Sequence, residues 1–513
     1  MLDVRRSGVL LHPTSLPGPH GGGDFGPAAF AFADWLAEAG QRLWQWLPLN
    51  PVGPGDSPYQ SVSAFAGSPL LVALEPLVER GWLAPPAPPP FDDTQTDFAR
   101  VAPWRLQQLR AAARGFFAQP DRAAFDAWCR AQAGWVDDHA LFMALEAAHE
   151  GRAWWHWPAP LARREPAALQ AARARHASEI DFWRFVQWCF DEQAAALKRH
   201  ANAHGITILG DLPIFIAHHS VDCWSRPDLY DLDEHFQPRV VAGVPPDDLG
   251  PEGQRWGNPL YRWDRMAAEG FAWWTARVQR ALAHVDAFRI DHFRGFAGYW
   301  EIPATSPTAR EGRWRAGPGV ALFQAIERAL GRLPIVAEDL GFITPDVHAL
   351  RAACGFPGMK ILQFAFGGDG GHEFLPHHYP RDTVVYTGTH DNDTARGWWD
   401  QATPNERHFA GTYLACGAHD VHWAMIRAAL NSVAASAVFP LQDVLGLGSD
   451  HRMNTPGTLG GANWRWRFTW PMLGDAGRVL ALMTAASGRA PVTLLGIAAP
   501  EHRPPPGMDY LSA

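Results

Sequence analysis

The chain has 513 residues, 47 % of them hydrophobic, which is ample for a barrel-sized core with large insertions. Its formal net charge of −9 is spread along the chain with no basic block, which argues against nucleic acid as a partner. The five cysteines (Cys129, Cys189, Cys223, Cys354, Cys416) form no CxxC pair, no run of about 18 apolar residues occurs, and the N-terminal stretch is short of a signal peptide. Neither a disulfide framework, a zinc site nor a membrane span is therefore expected, and the reading is a soluble cytoplasmic protein.

Eight short apolar runs read as strands, in chain order 8–12, 42–47, 206–211, 286–291, 334–338, 360–364, 383–389 and 437–442. Helical patterns separate most of them. One is PAAFAFADWLAEAG, stopped by Gly40; another is GVALFQAIERALG, stopped by Gly331. Strand and helix in repeated alternation predict a parallel sheet with crossover helices. Eight units predict an α/β fold, a closed (β/α)8 TIM barrel with large helical and loop insertions on its catalytic face. An open doubly wound sheet is the alternative, but no GxGxxG or phosphate loop supports it.

The uneven spacing divides the chain. Residues 1–85 carry the first strands and an acceptor-side loop. The Pro-rich LAPPAPPPFDD opens a mainly helical insertion at 86–205. Residues 206–475 complete the barrel and hold a turn-rich lid region at about 215–285; residues 476–513 form a C-terminal helix and a poorly ordered tail.

Four runs end in acid: ITILGD at Asp211, VDAFRID at Asp291, PIVAED at Glu338 and Asp339, and TVVYTGTHD at Asp391. Carboxylates at the C-terminal tips of barrel strands gather in one cleft. Glycosidic chemistry needs such a set, one acid as nucleophile and one as acid/base. The 25 tryptophans are compatible with a sugar-binding cleft, although aromatic area mainly serves packing.

The strings HPTSLPG, LPLNPVGPGDSPYQSVSAFAGSP, GDLPIF, GVPPD…GQRWGNPLY, FRIDHFRGF, AEDLG, GMKILQFAF and TGTHDNDT, in this order from His12 to about Arg467, resemble the amylomaltase family, the 4-α-glucanotransferases of the wider α-amylase clan. The resemblance implies transfer of α-1,4-glucan segments to the 4-hydroxyl of another glucan or of glucose, through a covalent glucosyl-enzyme, with no cofactor. It implies Asp291 as nucleophile beside Arg289, Glu338 as acid/base with a raised pKa, and Asp391 as transition-state stabiliser. Asp339, which points to the other side of the strand, is read as a structural partner.

Substrate contacts implied in the same way are Asp56, Ser57 and Tyr59 in the GDSPYQS loop, with Asp211 on the cleft floor. His390 beside Asp391, Gln254 and Trp256 in the lid, and Asn463 and Trp464 in GGANWRWRF complete the set. The chain departs from the family at His219, where relatives carry an acid, and at Asp248 and Leu249, where relatives carry aromatics. No second histidine at ligand spacing accompanies His390, so no metal is expected there. The carboxylates alone leave a hydrolase of the α-amylase type open, since water and a sugar hydroxyl use the same machinery. The expected partners are α-1,4-glucans and glucose.

Overall fold

The computed structural model describes residues 4–246 and 251–496; Asp248, Leu249 and the tail beyond residue 496 lie outside them. Twelve strands are present among these residues. In chain order they are β1 (Arg6–Leu10), β2 (Leu43–Gln45), β3 (Thr207–Leu212), β4 (Val240–Val244), β5 (Gln254–Pro259), β6 (Ala287–Ile290), β7 (Gly298–Pro303), β8 (Arg313–Ala316), β9 (Ile335–Ala337), β10 (Gly358–Ile361), β11 (Thr383–Tyr386) and β12 (Ser436–Pro440). Eight of them, in the order β10-β11-β12-β1-β2-β3-β6-β9, form one all-parallel sheet. These are the eight runs read as strands from the sequence.

The strands are apolar on both faces because each face meets a different core. Leu10, Leu43, Leu209, Ala287, Val336, Met359, Val384, Tyr386 and Val438 fill the barrel interior. Their neighbours Val9, Trp44, Ile208, Phe288, Ile335, Val385 and Ala437 face outward into the main core under the helices. This period of two sets the site. Counting on from Leu209 puts Asp211 inward, from Ala287 Arg289 and Asp291, and from Val336 Glu338. Helices Pro27–Glu38, Ala177–Ala203, Ala272–His284, Val320–Leu330, Pro345–Cys354, Val421–Asn431 and Ala476–Ala486 lie between or after the strands. Between β10 and β11 only the single turns Leu362–Phe366 and Pro376–His378 intervene.

The barrel closes where β9 meets β10, and there a side chain extends the ladder. Ala337 N–H donates to Pro357 C=O at 2.9 Å. One step on, Asp339 Oδ1 accepts from Met359 N–H at 2.7 Å, while Oδ2 pairs with Arg351 Nε at 3.2 Å. Gly358 makes room for this carboxylate, because a Cβ there would lie 2.4 Å from Asp339 Oδ2. Asp339→Ala leaves the Met359 N–H without its acceptor and takes one of three acceptors from the recessed Arg351 guanidinium, which keeps Phe356 C=O and Asp382. The expected loss is about 2–4 kcal/mol of stability, read as a lower urea midpoint in equilibrium unfolding.

The segment 98–203 supplies the long helices Phe98–Phe117, Ala123–Ala148 and Ala177–Ala203, whose contacts include Phe116, Phe125, Phe185 and Trp188 in mutual ring packing. His219, after β3, binds back to this layer through Glu146 (Nε2–Oε1 2.9 Å). A second sheet, β5-β4-β7-β8, is four-stranded and antiparallel. It draws β4 and β5 from before strand β6 and β7 and β8 from after it, so it reaches past the lid region read from the sequence.

Candidate active site

Arg289 lies at the centre of the inward-facing acids. Its side chain is buried, and its guanidinium touches three carboxylates: Asp291 Oδ1 at 2.7 Å, Asp211 Oδ2 at 3.0 Å and Glu338 Oε2 at 3.5 Å. Asp291 and Glu338 are thereby held on one planar cation. Register explains the grouping: Asp211 pairs with Arg289 across β3–β6, and Ile290 with Ala337 across β6–β9, bringing Asp291 beside Glu338.

Three carboxyl groups share one guanidinium, an arrangement that favours a proton on the one whose charged form is least stabilised. Glu338 makes the longest contact to the guanidinium and is the natural carrier. Burial pushes its pKa up to about 8, with Arg289 opposing and Asp291 reinforcing the shift. Burial also pushes Asp211 upward, again against Arg289. Its Oδ2 accepts from Arg289 Nε at 3.0 Å and from Tyr59 O–H at 2.8 Å.

The chain turns sharply after β6. His292 has φ 51°, in the left-handed region, which costs a non-glycine residue on the order of 1 kcal/mol or more. The turn aims the His292 N–H at Glu338 Oε2, to which it donates, and Phe293 N–H donates to Glu338 C=O at 3.2 Å. This backbone donor was not among the residues read from the sequence, since nothing in a side-chain pattern reveals it.

Asp391 stands on the opposite wall with its side chain 41 % exposed. Asn454 Nδ2 donates to its Oδ1 at 2.6 Å, Arg452 donates to its carbonyl, and His390 Nε2 lies 3.3 Å from Oδ1. Asn454 and Arg452 were also missed; they come from a loop some sixty residues downstream and form no motif with Asp391.

Tyr59 links the two walls. Its hydroxyl lies 2.9 Å from His390 Nε2 while donating to Asp211, and its ring stacks on His390 (centroids 5.4 Å, 9°). Trp464 backs both rings at 5.7 and 5.9 Å and is itself only 7 % exposed. Asn463 directs its amide into its own loop, accepting from Thr455 N–H at 3.0 Å and donating to Thr458 Oγ1 at 2.9 Å.

Asp56 (φ 64°) and Ser57 likewise shape the Tyr59 loop. Asp56 pairs with Arg465 at 3.3 Å, and Ser57 Oγ accepts from Tyr59 N–H at 3.2 Å. From the second sheet, Trp256 sets its ring edge-on to His292 (4.8 Å, 87°) and donates to the exposed Gln254 side chain at 3.0 Å. The structure thus brings Asp211, Arg289, Asp291, Glu338, Tyr59, His390 and Asp391 into one contact network. Asn463 and Trp464 support it from behind.

A 4-alpha-glucanotransferase family model matches residues 11–472. The chain belongs to that family. It is 52 % identical over 474 residues to the 4-alpha-glucanotransferase of Thermus thermophilus, covering 90 % of this chain and 94 % of that one. It is 47 % identical over 485 residues to the Synechocystis enzyme of the same name, covering 93 % and 96 %. Among solved structures, the amylomaltase of Streptococcus agalactiae in complex with acarbose superposes with a TM-score of 0.92 at 38 % identity, spanning 95 % of this chain and all of that one. The barrel, the order of its motifs and the family therefore agree, and the chain is a 4-alpha-glucanotransferase. Among the described residues no helix is long and apolar enough to cross a membrane.

Proposed function

We propose that this glucanotransferase works by retaining double displacement on α-1,4-glucans, with Asp291 as nucleophile, Glu338 as acid/base and Asp391 as electrostatic stabiliser. The observation that carries this reading is the shared guanidinium of Arg289. It holds Asp291 in its shortest contact and leaves Glu338 at the longest, so two like residues are set apart in proton affinity.

An Asp291 oxygen attacks the anomeric carbon. As the bond from that carbon to O4 of the leaving sugar breaks, the Glu338 proton passes to O4. A glucosyl ester on Asp291 remains, and Glu338 is now a base. The 4-hydroxyl of a second glucan, or of glucose, gives its proton to Glu338 as its oxygen bonds to the anomeric carbon and Asp291 departs. Two inversions restore the α configuration. Asp391, partly exposed on the facing wall, offers negative charge to the oxocarbenium-like transition state. One glycosidic bond is exchanged for another of the same kind, so no nucleotide or metal enters the balance.

The acarbose held by the streptococcal relative supports an oligosaccharide-shaped cleft in the same fold. The five unpaired cysteines support a cytoplasmic location. Incubation with maltotriose, followed by thin-layer chromatography, tests the reading. Transfer yields glucose together with a ladder of longer maltodextrins; shorter sugars alone would mark a hydrolase instead.

A further inference from the structure

Away from the catalytic carboxylates, His20, Asp24 and Glu75 converge beneath the loop that follows β1. One ligand atom from each lies within 4.8 Å of the other two. The His20 side chain is 8 % exposed and its ring stacks on Trp104 (5.7 Å, 29°), which fixes its direction. His20 Nδ1 points at Glu75 Oε1 from 3.5 Å, too far for a good hydrogen bond. Nδ1 and the other Glu75 oxygen, Oε2, are both buried without a hydrogen-bond partner among the described residues. Arg105 holds Asp24 from the far side at 2.8 Å, and Gly26 N–H donates to Asp24 Oδ1 at 2.9 Å. Gly26 also keeps the space open, since a Cβ there would lie 2.8 Å from Asp24 Oδ1 and 3.3 Å from Glu75 Oε2.

Glu75 keeps 32 % of its side chain exposed, so the group opens to solvent on that side, while His20 Nδ1 and Glu75 Oε2 have lone pairs free for a cation. We propose that His20, Asp24 and Glu75 bind a divalent transition-metal cation of the zinc or manganese type, as a structural brace. One imidazole nitrogen with two carboxylate oxygens is a donor set such ions accept, with water completing the shell. The brace ties the loop after β1 to the segment leading from the Tyr59 loop into the helical layer, where Arg105 is rooted.

The test is a calorimetric titration of Zn²⁺ into the chelator-treated full chain carrying His200→Gln and His204→Gln. Those changes remove a second, more exposed group, Asp34–His200–His204. The expected result is one saturable equivalent and a raised melting temperature. Adding Glu75→Gln or His20→Asn weakens binding tenfold or more and cancels the thermal gain. Absence of a stoichiometric event in the background protein overturns the proposal, whatever the folding of the further variants. So does binding that is unchanged by both further substitutions, which would place the ion elsewhere.

Discussion

Asp291→Asn lowers glucan transfer by about 10⁴-fold or more, because a neutral amide cannot form the glucosyl ester. The fold is expected to survive. Arg289 keeps Asp211 at 3.0 Å and Glu338 at 3.5 Å, and the strand on which residue 291 follows is held by backbone pairing to β3 and β9. Initial rates of maltotriose disproportionation, measured beside circular dichroism and thermal melting, separate lost chemistry from lost structure. A near-normal rate in a folded variant takes the nucleophile role away from Asp291.

Glu338→Gln removes the mobile proton and is expected to cost about 10²–10⁴-fold with maltodextrin donors. A donor whose leaving group needs no protonation, such as an α-glucosyl fluoride, should recover much of the first step. The pH profile gives a second reading. The first step needs Glu338 protonated, so kcat/KM of the wild type falls as pH rises through about 8. With the activated donor, the variant should lack that alkaline limb.

Stability shifts with pH in the same direction as activity. Because the folded pKa of Glu338 lies above its ordinary value of 4.5, the native state keeps a proton that the unfolded chain has released between about pH 4.5 and 8. Wild-type stability from this group is therefore lost as pH rises across that window. Glutamine has no such dependence. The variant should melt higher than wild type at pH 9, by on the order of a few kcal/mol at most, and converge with it near pH 4. The side chain keeps 19 % of its surface, so water screens part of this difference. Equal melting at pH 9 would show that burial does not disfavour the charged form.

The barrel was legible because every one of its strands is buried on two sides, which leaves continuous apolar runs such as TILGDL and TVVY. The second sheet was not. Its strand RWRA is exposed at all four positions, and QRWGNP is largely polar, so neither carries a pattern that separates strand from loop. The acids stood out because each closes an apolar run. Their supports did not: Asn454 reaches Asp391 from a separate loop, and His292 contributes a backbone N–H through an unusual φ. Trp464 and Asn463 were read as substrate contacts from family likeness. Both are largely buried, Trp464 packed against the Tyr59 ring and Asn463 bonded within its own loop.

Because a single guanidinium is the shared counter-ion of Asp211, Asp291 and Glu338, those four positions form one unit with little freedom to drift independently. A lysine at 289 could offer its charge to one acid but not fork between three. Adapting this scaffold to new donors or acceptors is therefore work for exposed side chains away from the centre, such as those of Gln254 and Leu459, which can be exchanged without unbalancing the charge there.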